Sequence, residues 1–529
     1  MLPGIVPRRL LLAVSGVLLL ALPACDDSDV DRARPEPSSP RGRVRCGDLD
    51  ELAARMRRGY VPGRSPDVLL VPREPNYIGT AAMPAHTGPW DYLVEVPLVF
   101  YGPGIVPPTG RTPGEATVAD IAPTVASLIG AERIDSDGRA LPVAVEVEGT
   151  PRVVIVVVLD GVGRNTLAVH EGSAPSLEMM SRRGVDYADA TVGSSPSNTP
   201  PVHTTIGTGV FPRRHGIPHV RMRTADGGYV DPFERNVADA VRVPTFADTY
   251  DLETGNAAEI GLVATVNWHL GMVGHGSSHP GGDRDAVVLL NDQGLQYGDP
   301  NDYEILDVAD PATLDAETDA LDAADGERDG RWRQEVLSDP SIRYMSPAWV
   351  SYQLEMLKGT LREGDFGRDE IADLMFVNFK GADTSGHRFG MTSPQVGEVI
   401  ESQDAALLAA TRFLDRHVGA GEWVLVVTAD HGQTPYPEES GGWPIRGGEV
   451  KADLDAAFGR GSVVRVTSAG VFLSPDGPST EAVDRRLGDY RVADNVVDGQ
   501  SVPDEWRGKE NEELFDMTMA GSDVIVRNC

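Results

Sequence analysis

The chain has 529 residues, 41% of them hydrophobic and 24% charged, an ordinary balance for a folded protein that excludes a wholly disordered one. Eighty acidic residues against 47 basic ones leave a formal net charge of -33, which argues against a nucleic acid or an anionic membrane surface as a non-specific partner. Any anionic ligand would approach against this global field, so its attraction would need local cations.

At the N-terminus, Arg8 and Arg9 precede an apolar run from Leu10 to Leu22 and then Pro23-Ala24-Cys25. This predicts a signal peptide over residues 1–24, because the run is short for a membrane-spanning helix. Leu22-Pro23-Ala24-Cys25 is similar to a bacterial lipobox, with proline at its second position as a departure, and implies a lipid anchor at Cys25. The alternative is an ordinary secretory signal, and both readings place the protein outside the cell membrane. Residues 25–45, rich in Asp, Arg, Pro and Ser, read as a flexible tether. With Cys25 assigned to the anchor, an oxidising compartment permits a disulfide between the two remaining cysteines, Cys46 and Cys529.

Apolar, β-branched runs bounded by turn residues predict buried strands at Val153 to Leu159, Ile260 to Val266, Leu374 to Phe379 and Trp423 to Thr428. Helical stretches such as Ala174 to Arg183 and Pro394 to Arg416 alternate with them. The fold class is therefore α/β, with a mainly parallel central sheet sandwiched by helices. Residues from about 220 to 343 have weaker periodicity and read as an inserted cap region over the site. Their histidines His269, His275 and His279 are assigned to loops or the surface.

In open parallel sheets, ligands gather where strands deliver their carboxyl ends into loops. Three such ends carry acids here: Asp160-Gly161, Gly381-Ala382-Asp383 and Ala429-Asp430-His431-Gly432. One aspartate after a strand is usually a turn residue, but three, two of them with histidines at short spacing, suit borderline divalent ions. Asp383 and His387 are four residues apart, and Asp430 and His431 are adjacent. Thr199, before Pro200, reads as an N-cap that places its hydroxyl at the positive end of a helix. Capping is the bland reading. The chemical one is that a hydroxyl, inert at its free pKa, becomes a nucleophile when a metal binds it.

The ordered set Leu159-Asp160-Gly161, Thr199-Pro200-Pro201-Val202-His203, Phe211-Pro212-Arg213-Arg214-His215-Gly216-Ile217, Asp383-x-x-x-His387 and Asp430-His431-Gly432 spans most of residues 151–435. It resembles the nucleotide pyrophosphatase/phosphodiesterase branch of the alkaline phosphatase superfamily. The resemblance implies an alkaline phosphatase-like fold with two metal ions, expected to be zinc, with manganese or iron as alternatives. Asp160, Thr199, Asp430 and His431 would surround one ion, and Asp383, His387 and one further histidine the other. His203 and His215 also match family positions and are read as structural.

In the family the further histidine follows the Asp-His-Gly motif, yet no histidine occurs after His431 in this chain. Earlier in the sequence, Asp67 to Val71 and Val96 to Tyr101 read as strands, with a loop His86-Thr87-Gly88-Pro89-Trp90-Asp91-Tyr92 between them. Val118 to Gly130 resembles the segment that ordinarily closes this family's chain. The resemblance thus implies a circular permutation, in which residues 46–135 complete from the front a catalytic domain otherwise formed by 151–529, with His86 as the seventh ligand. A Cys46 to Cys529 disulfide would then staple the seam. The alternative, a separate small domain with His86 in a plain loop, leaves one ion a ligand short.

Two departures bear on activity. Val202 stands where these enzymes carry a phosphoryl-contacting asparagine, and Thr265-Val266-Asn267-Trp268-His269 lacks the Lys and Arg that some phosphomonoesterases of the superfamily use. The expected function is hydrolysis of a small phosphate ester through a phospho-threonine intermediate, with diesters favoured. A phosphomonoesterase or phosphonate hydrolase on the same site is one alternative, and a non-catalytic surface-binding lipoprotein another.

Overall fold

The structure, a computed structural model, describes residues 49–143, 150–497, 500–521 and 523–526. The signal peptide, the tether, Cys25, Cys46 and Cys529 lie outside the described residues. Thirteen strands carry the architecture: β1 (Val68–Pro72), β2 (Leu98–Tyr101), β3 (Gly110–Thr117), β4 (Val153–Leu159), β5 (Val185–Thr191), β6 (Ile260–Ala264), β7 (Asp285–Leu290), β8 (Asp373–Phe379), β9 (Trp423–Thr428), β10 (Val463–Thr467), β11 (Gly470–Leu473), β12 (Phe515–Ala520) and β13 (Asp523–Val526). The helices that matter to the site are α1 (Ile121–Ile129), α2 (Pro175–Arg183), α3 (Thr199–Thr208), α4 (Phe246–Thr254), α5 (Pro347–Glu363), α6 (Gly381–Phe389) and α7 (Pro394–Leu414).

Strand β4 shows why this sequence makes a sandwiched sheet. All seven of its residues are buried, and they alternate between two cores. Val154, Val156 and Val158 pack with Ile121, Val125 and Ile206, whereas Val153, Ile155, Val157 and Leu159 pack with Trp349, Val399 and Leu407. A strand buried on both faces has no polar side to show, so its sequence is a continuous β-branched run, each such side chain contributing about 1.5–3 kcal/mol on full burial. The central sheet runs β7-β6-β8-β4-β9-β2-β5-β3, with two short strands at its β7 end. The five strands from β7 to β9 are parallel, confirming the mainly parallel α/β expectation.

Strand β2 is the exception: it pairs antiparallel with both β9 and β5, Leu98 opposite Thr428 and Val99 opposite Asp186. It begins at Leu98 rather than at Val96, after Pro97, which has no N–H for the ladder. A second sheet, β10-β11-β1-β12-β13, places β1 between two C-terminal strands. Residues 46–135 therefore contribute β2 and β3 to the central sheet and β1 to the middle of the other. The stretch expected as a cap, 220–343, supplies β6 and β7 to the central sheet, so only its remainder lies outside that layer. Its weak helical periodicity follows from β6 and β7 being short and buried throughout. Among the described residues no helix is long and apolar enough to cross a membrane.

Candidate active site

Strands β4, β8 and β9 end side by side and deliver Asp160, Asp383 on α6, and Asp430 with His431 to one edge of the sheet. Because β2 runs the other way, its N-terminal lead-in reaches that same edge, and residues 86–97 arrive there although they come from the far side of the sequence. The loop carrying His86 is held by Ser197 Oγ, which donates to the carbonyls of His86 and Gly88, both at 3.1 Å, and by Thr434 Oγ1, which donates to Ala85 O at 2.9 Å. All seven residues picked from the sequence meet at this edge.

Their atoms form two adjoining clusters. In one, Asp383 Oδ1 lies 3.6 Å from His86 Nε2 and 3.4 Å from His387 Nε2. In the other, His431 Nε2 lies 3.6 Å from Asp160 Oδ1 and 3.3 Å from Asp430 Oδ2. The rings of His86 and His431 stack with centroids 3.6 Å apart, joining the two. Asp160 Oδ1, Asp383 Oδ1, Asp430 Oδ2 and His431 Nε2 are all buried without a hydrogen-bond partner. Buried polar atoms are otherwise partnered, so four orphans facing one another call for cations. Ligands set tetrahedrally about 2 Å from an ion lie roughly 3.3 Å apart, which matches these spacings.

The outer contacts set the histidine tautomers. His431 Nδ1 donates to Gly432 O at 3.0 Å and His86 Nδ1 to Ser197 O at 3.3 Å, leaving both Nε2 lone pairs inward. Burial first of all pushes His86 and His431 below the usual imidazole range, with His431 adding to the shift of His86 and Asp383 and Asp160 opposing that of His431, and keeps both neutral as ligands must be. Burial and then Asp160 push the Asp430 carboxyl well above the usual range, as expected where carboxylates outnumber cations.

Sequence reasoning missed Lys380. This buried side chain lies between the two clusters, Nζ donating to Asp160 Oδ2 at 3.0 Å and Asp383 Oδ2 at 2.9 Å, with Thr199 Oγ1 at 3.4 Å. Each of these two aspartates thus gives one oxygen to Lys380 and keeps the other free for an ion. Burial alone would lower the ammonium; Asp160, Asp383 and Asp430 outweigh it and hold it charged. Asn378, the polar residue in the otherwise apolar end of β8, also donates to Asp160 Oδ2, at 3.1 Å. Gln433 Nε2 donates to Gly161 O at 3.0 Å and Ala382 O at 3.2 Å, fixing the β4 turn against α6.

Two expectations change in detail, those for Thr199 and His269. Thr199 is the first residue of α3 and Asn198, at φ -144 and ψ 167, is its N-cap, so the threonine hydroxyl is not spent on capping. His269 is not a surface residue: it is fully buried, its ring centroid 4.5 Å from that of His203, and both its nitrogens lack partners. His275 is paired with Asp248 at 2.8 Å, away from the two clusters. His203 donates from Nδ1 to Thr199 O at 2.9 Å and accepts from Asn378 at 3.1 Å, and His215 contacts Thr205 Oγ1 at 3.1 Å, consistent with structural roles. Val202 is fully buried in the core and offers no polar atom to a ligand.

Curated relatives match only short stretches. Alkaline phosphatase PhoV of Synechococcus elongatus is 28% identical over 106 residues, 20% of this chain and 19% of that protein. Alkaline phosphatase PafA of Elizabethkingia meningoseptica is 33% identical over 87 residues, 16% of each. The chain thus spans less than a fifth of the length of either relative. The crystal structure of wild-type alkaline phosphatase PafA superposes with a TM-score of 0.51 at 16% identity, covering 73% of this chain and 86% of that one, which supports the alkaline phosphatase-like fold. The family model for type I phosphodiesterase / nucleotide pyrophosphatase matches residues 154–521, and the chain belongs to that family.

Proposed function

We propose that this protein hydrolyses phosphate esters with Thr199 as nucleophile and two divalent ions, zinc by ligand type, as cofactors. The observation that carries this is the pair of orphaned ligand clusters bridged by Lys380, whose Nζ lies 3.4 Å from a threonine hydroxyl at a helix start that capping does not use. Asp383, His387 and His86 would hold one ion; Asp160, Asp430, His431 and Thr199 the other. Bound there, the ions supply the Lewis acidity that favours the deprotonated hydroxyl and offsets the charge of the phosphoryl oxygens. Thr199 Oγ attacks phosphorus, the ester oxygen leaves with its electron pair, and phospho-Thr199 forms; water then attacks the same phosphorus and restores the hydroxyl. Lys380 keeps Asp160 and Asp383 turned so that one oxygen of each faces an ion, and offers positive charge beside Thr199 Oγ. Asn378 holds the Asp160 carboxylate, and Gln433 holds the backbone beside Asp160 and Asp383 in register.

Membership of the type I phosphodiesterase / nucleotide pyrophosphatase family favours a diester substrate. A specific observation favours the second reading, a phosphomonoesterase: the buried ammonium of Lys380 suits the extra negative charge of a monoester group. The circular permutation belongs to this proposal too. It is supported by His86 meeting Asp383, by β2 and β3 lying in the central sheet, and by the family match starting only at residue 154. Export, the Cys25 anchor and the Cys46 to Cys529 disulfide complete it.

The test compares bis-p-nitrophenyl phosphate with p-nitrophenyl phosphate on zinc-loaded protein, beside Thr199→Ala and His86→Ala. Faster diester cleavage that collapses in both variants is expected. Full activity in His86→Ala would remove that residue from the site, and a zinc-loaded wild type inert on both esters would support a binding protein instead.

A further inference from the structure

The sheet edge opposite the active site carries a second concentration of acid. Strand β7 is parallel to β6, and β6 to β8, so Asp285, its first residue, lies at the end of the sheet away from the catalytic loops. Asp251, in the last turn of α4, and Asp283, in the loop before β7, meet it there. One oxygen of each lies within 4.8 Å of the other two. Asp251 is 4% exposed and Asp285 6%, while Asp283 is on the surface, so the group is a notch open on one side.

Two neighbours show how this chain ordinarily settles a buried carboxylate. Asp248 accepts from the backbone of Thr245 and His275 and pairs with the His275 ring, and Asp373 accepts from the backbone N–H groups of Glu259 and Gly367. In the trio the hydrogen-bonding partner of the Asp251 carboxyl is Asp283, itself an acid, through its main chain and side chain. Asp251 Oδ1 is fully buried and has no hydrogen-bond partner. Among the described residues no Lys or Arg reaches ion-pair distance of any of the three, and Arg284, although between Asp283 and Asp285 in sequence, donates to Pro300 O at 3.4 Å. A buried acid is tolerated when paired or bound to a metal, and here the first option is missing.

We propose that Asp251, Asp283 and Asp285 form a binding site for a hard divalent cation of calcium's size, separate from the two catalytic ions. The donors are all oxygens, unlike the mixed nitrogen and oxygen set at the active site, and hard cations take such sets. Three carboxylates can supply up to six oxygens, and two oxygens on opposite sides of one calcium lie about 4.8 Å apart. Burial, and then Asp283, pushes the Asp251 carboxyl up to about 7, so the ion-free notch holds protons that a cation displaces. The bound ion ties the end of α4 to the start of β7. The tie is already half built, because Asn256 Nδ2 donates to Gly281 O at 3.1 Å and holds the intervening loop against the helix.

The experiment uses zinc-saturated protein freed of calcium, with isothermal titration of calcium chloride and melting curves at millimolar calcium. One calcium per chain and a rise in Tm of at least about 3 °C are expected from ligand linkage. Asp283→Asn, on the surface and so able to fold, should abolish both, as should Asp285→Asn, while Thr199→Ala should keep both. No calcium bound by the wild type, or binding that survives Asp283→Asn and Asp285→Asn, overturns the site. Neither result touches the esterase reading, because Thr199 and its ligands lie at the other edge.

Discussion

Replacing Lys380 by methionine removes the buried ammonium while keeping most of its volume, and tests whether that charge works on the reaction or only on the fold. Two of its contacts, to Asp160 and Asp383, exist before any substrate binds, at 3.0 and 2.9 Å. The third, 3.4 Å to Thr199 Oγ1, is long in the resting site, and under the proposed mechanism it would strengthen as negative charge gathers on that oxygen and on the phosphoryl group. Loss of one donor to charge that develops in the transition state costs about 2.7–4 kcal/mol, or roughly 100- to 1,000-fold in kcat. With both ions bound, Asp160 and Asp383 keep cationic partners, so the ion-loaded variant should fold. Without ions, loss of one partner from a buried ion pair costs about 3–5 kcal/mol, and the variant should melt well below the wild type. The assay is kcat and KM on both nitrophenyl esters, with zinc content by mass spectrometry and Tm with and without zinc. Two zinc ions per chain, a kcat down at least about 100-fold and a large Tm deficit only in the zinc-free protein are expected. A kcat within about threefold of the wild type, or a fall that tracks zinc loss ion for ion, would refute the reasoning.

Gly161 has φ +72, and a Cβ there would lie 3.0 Å from Asp383 Cα and from Gln433 Nε2. Gly161→Ala should therefore displace a ligand-bearing helix and lower zinc affinity more than Tm, which equilibrium zinc competition reads directly. His215 is fully buried, and burial first of all lowers its imidazole to about 3. The unfolded chain, with an ordinary value near 6.5, takes up the proton first, so the stability this neutral ring contributes is present above about pH 6.5 and is lost as pH falls toward 3. At about 1.4 kcal/mol per unit, urea unfolding at pH 6.5 and pH 5 should differ by about 2 kcal/mol more in the wild type than in His215→Gln. Equal differences in the two proteins would mean the ring charges without penalty.

Much of this was legible in the sequence because burial leaves a plain mark. Val153 to Leu159 and Trp423 to Thr428 are strands over the residues their apolar runs mark, since a strand covered on both faces must be apolar throughout. The acids after them stood out for the same reason, as polar residues at the ends of apolar runs. Lys380 did not, because a lysine after a strand is ordinarily a solvated turn residue and its spacing three before Asp383 has a meaning only once α6 is known to start there. Asn378, a polar residue inside the run Leu374 to Phe379, was the available hint that this strand end faces a polar site. The antiparallel course of β2 was not legible, since strand direction in a sheet follows from connections and partners rather than from local pattern. His269 misled because a histidine between Trp268 and Leu270 carries no local sign of being buried.

The placement of β1 bears on the order in which the molecule can assemble. Val68 lies opposite both Val471 and Ala520, and Leu98 opposite Thr428, so the earliest described strands find their partners among the last. Such sequence separation is the costliest kind of contact to close and slows folding. A chain emerging from its N-terminus must carry β1 without either partner until β11 and β12 have been made, and β2 with only β5 beside it until β9 follows. Until β9 and the residues just after it are made, the Asp160 cluster lacks Asp430 and His431, so a nascent chain that stops short of residue 431 cannot present the whole site.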